Sequence, residues 1–216
     1  MKAHSSRVPG KNFREIAGKP LFRWVLDTLL ELDFIEKIVV NTDARRELVE
    51  KGFPESDRCV IKDRARNLVG DDVSMNRIIA DDIQSHPADH YLMTHTTNPV
   101  LKVATLSDAY SRYLSGVEAG KDSLFGVNRF QTRFYTEEVQ PINHDPNHLV
   151  PTQDLEPWFE ENSCYYFFSE RSFSKTNARI GAHPVMHETP ALENTDIDEW
   201  RDWYLAEAVL KMDLDS

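Results

Sequence analysis

The sequence predicts an α/β protein: a Rossmann-like, mostly parallel sheet with helices on both faces and a small inserted β-excursion. Three observations carry this reading. Short runs rich in Val, Ile, Phe and Tyr alternate with amphipathic stretches of about 10 to 15 residues, the pattern of right-handed βαβ units. With 216 residues, 40% of them apolar and 10% aromatic, the chain can bury one sizeable core. The alternation fails between residues 130 and 163, where Pro, His, Asn and Glu dominate. Residues 1–216 are therefore read as one domain, with an inserted arm at 130–163 suited to a lid or a dimer contact.

The elements follow in order. In KPLFRWVLDTLLEL, residues Leu21, Phe22, Val25, Leu29 and Leu32 recur at helical spacing behind Pro20, a favoured first-turn residue. IEKIVVNTD reads as a buried strand with a polar end, and ARRELVEKGF as a helix closed at Gly52. Strand CVIKD precedes the loop RARNLVGDD, after which Ser74 can cap a helix over MNRIIADDIQ. HYLMTHT is a strand, ATLSDAYSRYL a helix and SLFGVN a strand; beyond the arm come CYYFFSE, PVMHE and a closing amphipathic helix in IDEWRDWYLAEAVLKM. Ligands in such sheets sit outside the carboxyl ends of the strands. NTD, RARN and HTTNP should therefore line one mouth.

Charge narrows the function. A net −11 argues against a nucleic-acid binder, which needs an excess of cations for the phosphate backbone. Yet Lys2, Arg7, Lys11, Arg14, Lys19 and Arg23 face only Glu15 in the first 23 residues, a local +5, so the other 193 carry −16. No apolar run approaches the roughly 20 residues that span a bilayer, so no membrane role and a cytoplasmic location are expected. Cys59 and Cys164 lie far apart and should be reduced and buried.

The opening MKAHSSRVPGKN suits a polyphosphate. Ser5, Ser6 and Gly10 let backbone N–H groups approach an anion, while Lys2, Arg7 and Lys11 add charge. Neither the Walker spacing nor G-x-G-x-x-G is present. In NTDIDEWRD, Asp196 and Asp198 share a face if extended and could hold a hard cation such as Mg²⁺; the same acids would also suit the first turn of the closing helix. The histidine pairs HDPNH and HPVMH each enclose a proline, which argues against a zinc site, and no nucleophile motif for acyl transfer occurs.

Taken together these motifs resemble the sugar-acid cytidylyltransferases, the N-acylneuraminate (CMP-sialic acid) synthetase family. KAHSSRVPGKN with AGKPLFRWVL resembles the N-terminal signature of that family. VVNTD, DRARNLVGDDVS, HTTNPVL, ENSCYYF and TDIDEWRDWYLAE then fall in family order over almost the whole chain.

The resemblance implies transfer of CMP from CTP to the anomeric hydroxyl of a 2-keto sugar acid, with Mg²⁺ as cofactor, CTP and a carboxylated sugar as partners, and a homodimer. It makes Lys2, Lys11 and Asp198 catalytic, and places CTP on Lys2, Ser5, Lys11, Asn12, Arg64 and Ser74. The sugar falls to His95, Thr97, Gln153, Asn162 and Tyr166, and the metal to Asp196 and Asp198. Departures include Ala3 and His4 for loop glycines, Thr152 for an Arg beside Gln153, and Ser163 for the Gly of E-N-G. They leave open which sugar acid fits, including a pseudaminic or legionaminic acid. A Kdo-type activator and a homologue that binds without turnover are the alternatives. In the family the loop follows a buried strand, so roughly five to eight strand residues are expected ahead of Met1.

Overall fold

The computed structural model describes residues 1–3, 5–70 and 72–214. His4 and Asp71, which fall within two of the motifs above, lie outside them. After a 3-10 turn at Lys11–Phe13, β1 (Glu15–Ile16) and β2 (Lys19–Pro20) form a tight hairpin whose central residues Ala17 and Gly18 both take positive φ. There follow α1 (Leu21–Leu30), β3 (Ile38–Thr42), α2 (Arg45–Glu50), β4 (Cys59–Asp63) and α3 (Met75–Ser85). Then come β5 (Tyr91–Thr94), α4 (Val103–Glu118), β6 (Ser123–Phe130), β7 (Trp158–Phe168), α5 (Glu170–Thr176), β8 (Pro184–Glu188) and α6 (Trp200–Leu214).

Strands β3 and β4 pair in parallel. The larger sheet has the order β5-β7-β6-β8. Its β7 is antiparallel to both β5 and β6, whereas β6 and β8 are parallel, so β5, β6 and β8 share one direction and β7 alone is reversed.

The alternation of β7 explains its unbroken CYYFF run. Tyr165 and Phe167 pack with Leu106, Ala109 and Tyr113 of α4, whereas Tyr166 and Phe168 pack with Ile79 and Ile83 of α3 and Phe173 of α5. Successive side chains point to opposite faces, and both faces are covered by helices. Helix α1 seals the β3–β4 pair through Phe22 and Leu26 against Ile38, Cys59 and Ile61. Helix α6 packs Trp203, Ala206, Val209 and Leu210 on Val8, Leu21 and Ile197, which binds the closing segment to the opening loop.

Three details depart from the sequence expectation. The arm ends sooner than 163, because Trp158–Glu161 already pair with β6. Helix α4 reaches Glu118, well beyond ATLSDAYSRYL. Helix α5 was not expected at all: only Phe173 among its large side chains is buried, and its start is set by Ser169, which accepts from Ser172 N–H while Ser172 Oγ accepts from Ser169 N–H. A serine at the third position in place of Glu or Gln hides that capping box from a sequence reader.

Candidate active site

The opening loop turns on Gly10, whose φ of 66° is left-handed and opens the 3-10 turn that carries Lys11 and Asn12 inward. Both side chains are buried. Asn12 Nδ2 donates to the Lys2 carbonyl at 2.9 Å, and Asn12 Oδ1 accepts from Thr96 Oγ1 at 2.7 Å. The amide thus ties the loop to the end of β5. Ser5 Oγ accepts from Val8 N–H at 3.4 Å inside the loop, and Ala3 N–H donates to Asp43 Oδ1 at 2.7 Å.

Lys11 reaches the far end of the chain. Its Nζ donates to the Ile197 carbonyl and stands 3.4 Å from Asp198 Oδ1, which Arg7 Nη2 also contacts at 2.9 Å. Ile197 is fully buried and its N–H donates to the Thr97 carbonyl at 2.8 Å, so the run Asp196–Asp198 is pinned from both sides. Asp202 completes the mount: its Oδ2 accepts from Asp198 N–H at 3.1 Å and Glu199 N–H at 2.8 Å as α6 begins. Burial pulls against ionisation there, but those two N–H groups hold the Asp202 carboxyl below its usual range.

Asp196 sits in the opposite condition. Burial raises its carboxyl, opposed by the Thr97 hydroxyl and helped by the nearby Asp198 charge. Its Oδ1 is buried without a hydrogen-bond partner among the described residues. An orphaned carboxylate oxygen beside a second carboxylate is a hard-donor pair of the kind Mg²⁺ takes, since that ion uses one or two protein carboxylates and draws its other ligands from water and phosphate. Among the described residues no group of three or more His, Cys, Asp or Glu gathers at one point. The residues present fit such an ion.

At the carboxyl end of β4, Arg64 is buried and reaches across to β3; its Nε donates to Asn41 Oδ1 and its Nη2 to the Asn41 carbonyl, both at 2.9 Å. Burial lowers its pKa, against the pull of Asp43 and Asp82. The Met1 amino group donates to the same Asn41 carbonyl at 2.6 Å, which brings Lys2 and Arg64 to one wall.

On the other side, His95 leaves β5 with Nε2 3.5 Å from Arg179 Nη1. Burial first, then the Arg179 guanidinium, push the imidazole down to about 4; the Met1 amino group and Lys11 add to the push and Asp198 opposes it. His95 therefore lies within electrostatic reach of both ends of the site. Arg179 lies 3.8 Å over the Tyr166 ring and donates to Glu161 Oε1 at 3.1 Å, while Tyr166 OH donates to the same carboxylate.

The structure thus gathers Lys2, Lys11, Asn12, Arg64, Thr97, Asp196 and Asp198 through neighbouring contacts, and sets His95, with Tyr166 behind Arg179, two residues along the chain from Thr97. It does not bring three others to them. Ser74 caps α3, its Oγ accepting from Asn76 N–H at 3.3 Å. Gln153 lies on a 3-10 turn of the arm, where its carbonyl accepts from Gln131. Asn162 turns inward: its Nδ2 donates to Asn128 Oδ1 and Thr189 Oγ1, and its Oδ1 accepts from Cys164 N–H. Gly126 makes room for it, because a Cβ there would lie 2.8 Å from Asn162 Oδ1. Sequence reasoning missed Glu161, Arg179 and Asp202. Asp202 was within reach, as the third acid of D-I-D-x-x-x-D; a lone Arg in a loop carries no such signal.

Comparison with known proteins gives a consistent result. A family model described as Cytidylyltransferase matches residues 1–202. The chain is 24% identical to the pseudaminic acid cytidylyltransferase of Campylobacter jejuni, over 98% of this chain and 94% of that one. It is 25% identical to the CMP-N,N'-diacetyllegionaminic acid synthase of Legionella pneumophila, with the same coverage. In fold it is similar to a CMP:2-keto-3-deoxy-manno-octonic acid synthetase solved with CTP, with a TM-score of 0.68 at 13% identity, covering 99% of this chain and 96% of the other.

Proposed function

The chain belongs to the cytidylyltransferase family, and from that premise we propose that it moves CMP from CTP onto the anomeric hydroxyl of a 2-keto sugar acid of the nonulosonic type. The observation that carries the reading is the Lys11–Asp198 junction, which sets a buried cation beside two carboxylates at the mouth of the sheet. The anomeric oxygen attacks the α-phosphorus, the bond from that phosphorus to the bridging oxygen breaks, and pyrophosphate leaves with the electron pair. The hydroxyl proton is released. Displacement at phosphorus needs alignment and charge neutralisation above all.

The placement of the residues supports a role for each. Lys2 and Arg64 line one wall and would take the triphosphate, aided by the N–H groups of the Ser5 to Gly10 loop. Lys11 would hold the phosphate that develops charge as the leaving group departs. Asp196 and Asp198 would hold Mg²⁺, which when bound neutralises phosphate oxygens. Ser74, at the start of α3, belongs with the nucleotide side only if the loop before it closes over CTP. His95 and Thr97 would face the acceptor sugar, and Tyr166, buried beneath Arg179, would support that wall.

Quaternary state and location belong to the same reading. The arm exposes Val139, Ile142 and Leu149, and Trp158 and Phe159 at the start of β7 are exposed as well, an apolar set that supports a homodimer. Among the described residues no helix is long and apolar enough to cross a membrane. Both cysteines are free and buried, which fits a reducing compartment such as the cytoplasm.

The test is pyrophosphate release from CTP with Mg²⁺ and a panel of pseudaminic, legionaminic, N-acetylneuraminic and 3-deoxy-octulosonic acids. Release with a nine-carbon acid is expected. Release with the eight-carbon acid alone favours the Kdo-type activity. Heat of CTP binding without any release marks a binding homologue and overturns the catalytic reading.

A further inference from the structure

We propose that Arg179 binds the carboxylate of the acceptor sugar, so that this arginine fixes the choice of an acidic sugar over a neutral one. The inference rests on the sugar-acid reading given above. It starts from an incomplete set of partners. Arg179 Nη2 is well satisfied by Glu161 Oε1 at 3.1 Å, and the guanidinium plane is covered by the Tyr166 ring. Among the described residues Nη1 meets only a thioether, Met93 Sδ at 3.9 Å, and His95 Nε2 at 3.5 Å. The thioether is a weak acceptor and the imidazole contact is long, for a planar fork built to grip a carboxylate with paired N–H bonds.

That underused edge adjoins the segment that leads to the phosphate end. His95, just past the carboxyl end of β5, meets Arg179, and two residues on the Thr97 carbonyl accepts from Ile197 N–H beside Lys11 and Asp198, so one short segment links the arginine to the phosphate end. A sugar acid with its anomeric hydroxyl toward the phosphate end would present its C1 carboxylate, on the same carbon, to the Arg179 side. The burial that keeps His95 neutral also removes water from the space in which the ion pair would form. Thr152, on the exposed turn of the arm, supplies no cation to compete for the role.

The arginine is also held in advance. Asn177 takes a left-handed φ of 52° and ends α5, its N–H donating to the Phe173 carbonyl at 2.7 Å. Arg179 N–H contacts Asn76 Oδ1 at 3.4 Å. Beyond it, Gly181 N–H donates to Ser123 Oγ at 2.8 Å, and Asp122 accepts from Ala182 and His183 N–H at 2.9 and 3.0 Å. The fit is close: a Cβ on Gly181 would lie 2.3 Å from Asp122 Oδ1. A loop fastened at both ends lowers the ordering cost of binding.

The experiment compares wild type, Arg179→Lys and Arg179→Met with CTP, Mg²⁺, the sugar acid that the wild type turns over, and the C1 carboxamide of that acid. Arg179→Met should raise KM for the acid by about tenfold or more, leave KM for CTP within about twofold, and abolish the preference for acid over carboxamide. Arg179→Lys should recover part of that preference. An unchanged KM for the acid, a retained preference, or equal rises in both KM values overturns the proposal. A CTP-induced rise in Tm reports that each variant is folded; if Arg179→Met does not fold, the lysine variant decides by its acid-to-carboxamide ratio. If the wild type turns over no sugar acid, the parent reading fails instead, and calorimetry of the acids against wild type and Arg179→Lys still settles whether Arg179 binds a carboxylate.

Discussion

Lys11 Nζ donates to the Ile197 carbonyl and lies 3.4 Å from Asp198 Oδ1, joining the first loop of the chain to the segment before its last helix. The ammonium is buried, whereas the Asp198 side chain is 44% exposed, so the contact is the inner half of an ion pair whose outer half meets Arg7. Lys11→Met keeps the volume, removes the charge and leaves the Ile197 carbonyl without its donor. It should cost about 1–3 kcal/mol of stability in a denaturant titration. Pyrophosphate release should fall by about 10²–10³-fold. Wild-type turnover in this variant would remove Lys11 from the mechanism.

Asp196 and Asp198 should part company under the same chemical change. Asp198→Asn alters a half-exposed group and should leave Tm close to wild type while lowering turnover by about 10²–10³-fold. Asp196→Asn relieves a buried, partly orphaned carboxylate. A carboxyl whose folded pKa is raised stabilises the protein when protonated, and that benefit is lost as pH rises through the folded value. Asp196→Asn should therefore raise Tm above wild type at pH 7, by less near pH 4, while turnover collapses. A Tm at pH 7 equal to or below wild type would show that the carboxylate is already satisfied.

His95 gives the opposite pH slope. Its native value of about 4 lies below the unperturbed value near 6.5, so the unfolded chain takes up a proton first as pH falls. The stability concerned is fully present above pH 6.5 and drains away toward pH 4, by about 1–3 kcal/mol after allowance for partial solvent screening. His95→Gln should flatten the curve of unfolding free energy against pH across that window. An unaltered acid limb would place the acid sensitivity elsewhere.

The parts of the molecule that were legible in the sequence are those with local causes. Pro20, the Ser74 cap, Gly52 and the apolar run of β7 each act within a few residues of the element they specify. The loop that carries Lys11 and Asn12 was legible for the same reason, through Gly10. What stayed hidden depends on distant partners. Whether Asn162 faces a ligand or the interior is settled by the missing Cβ of Gly126, on the neighbouring strand. Arg179 gains meaning only beside Tyr166, Glu161 and His95, which the fold brings together from two different strands.

Ser163 shows a local rule broken in view of the sequence and resolved by the structure. It stands where the family pattern has glycine, and its φ is 60°, in the left-handed region that costs a side-chain-bearing residue about 1–2 kcal/mol. The strain has a place: β6 changes register between Phe125 and Val127, opposite the stretch of β7 that includes Asn162 and Ser163. The Ser163 hydroxyl gives little back, accepting from Tyr166 OH at 3.3 Å when that phenol already has Glu161. Ser163→Gly removes the strain at the cost of about 0.5–1 kcal/mol of extra unfolded-state entropy. The net effect should be a gain of up to about 1 kcal/mol in denaturant unfolding, with KM for the sugar acid unchanged because Tyr166, Glu161 and Arg179 keep their contacts. A loss of stability would mean that the Ser163 hydroxyl matters more to the bulge than its backbone does.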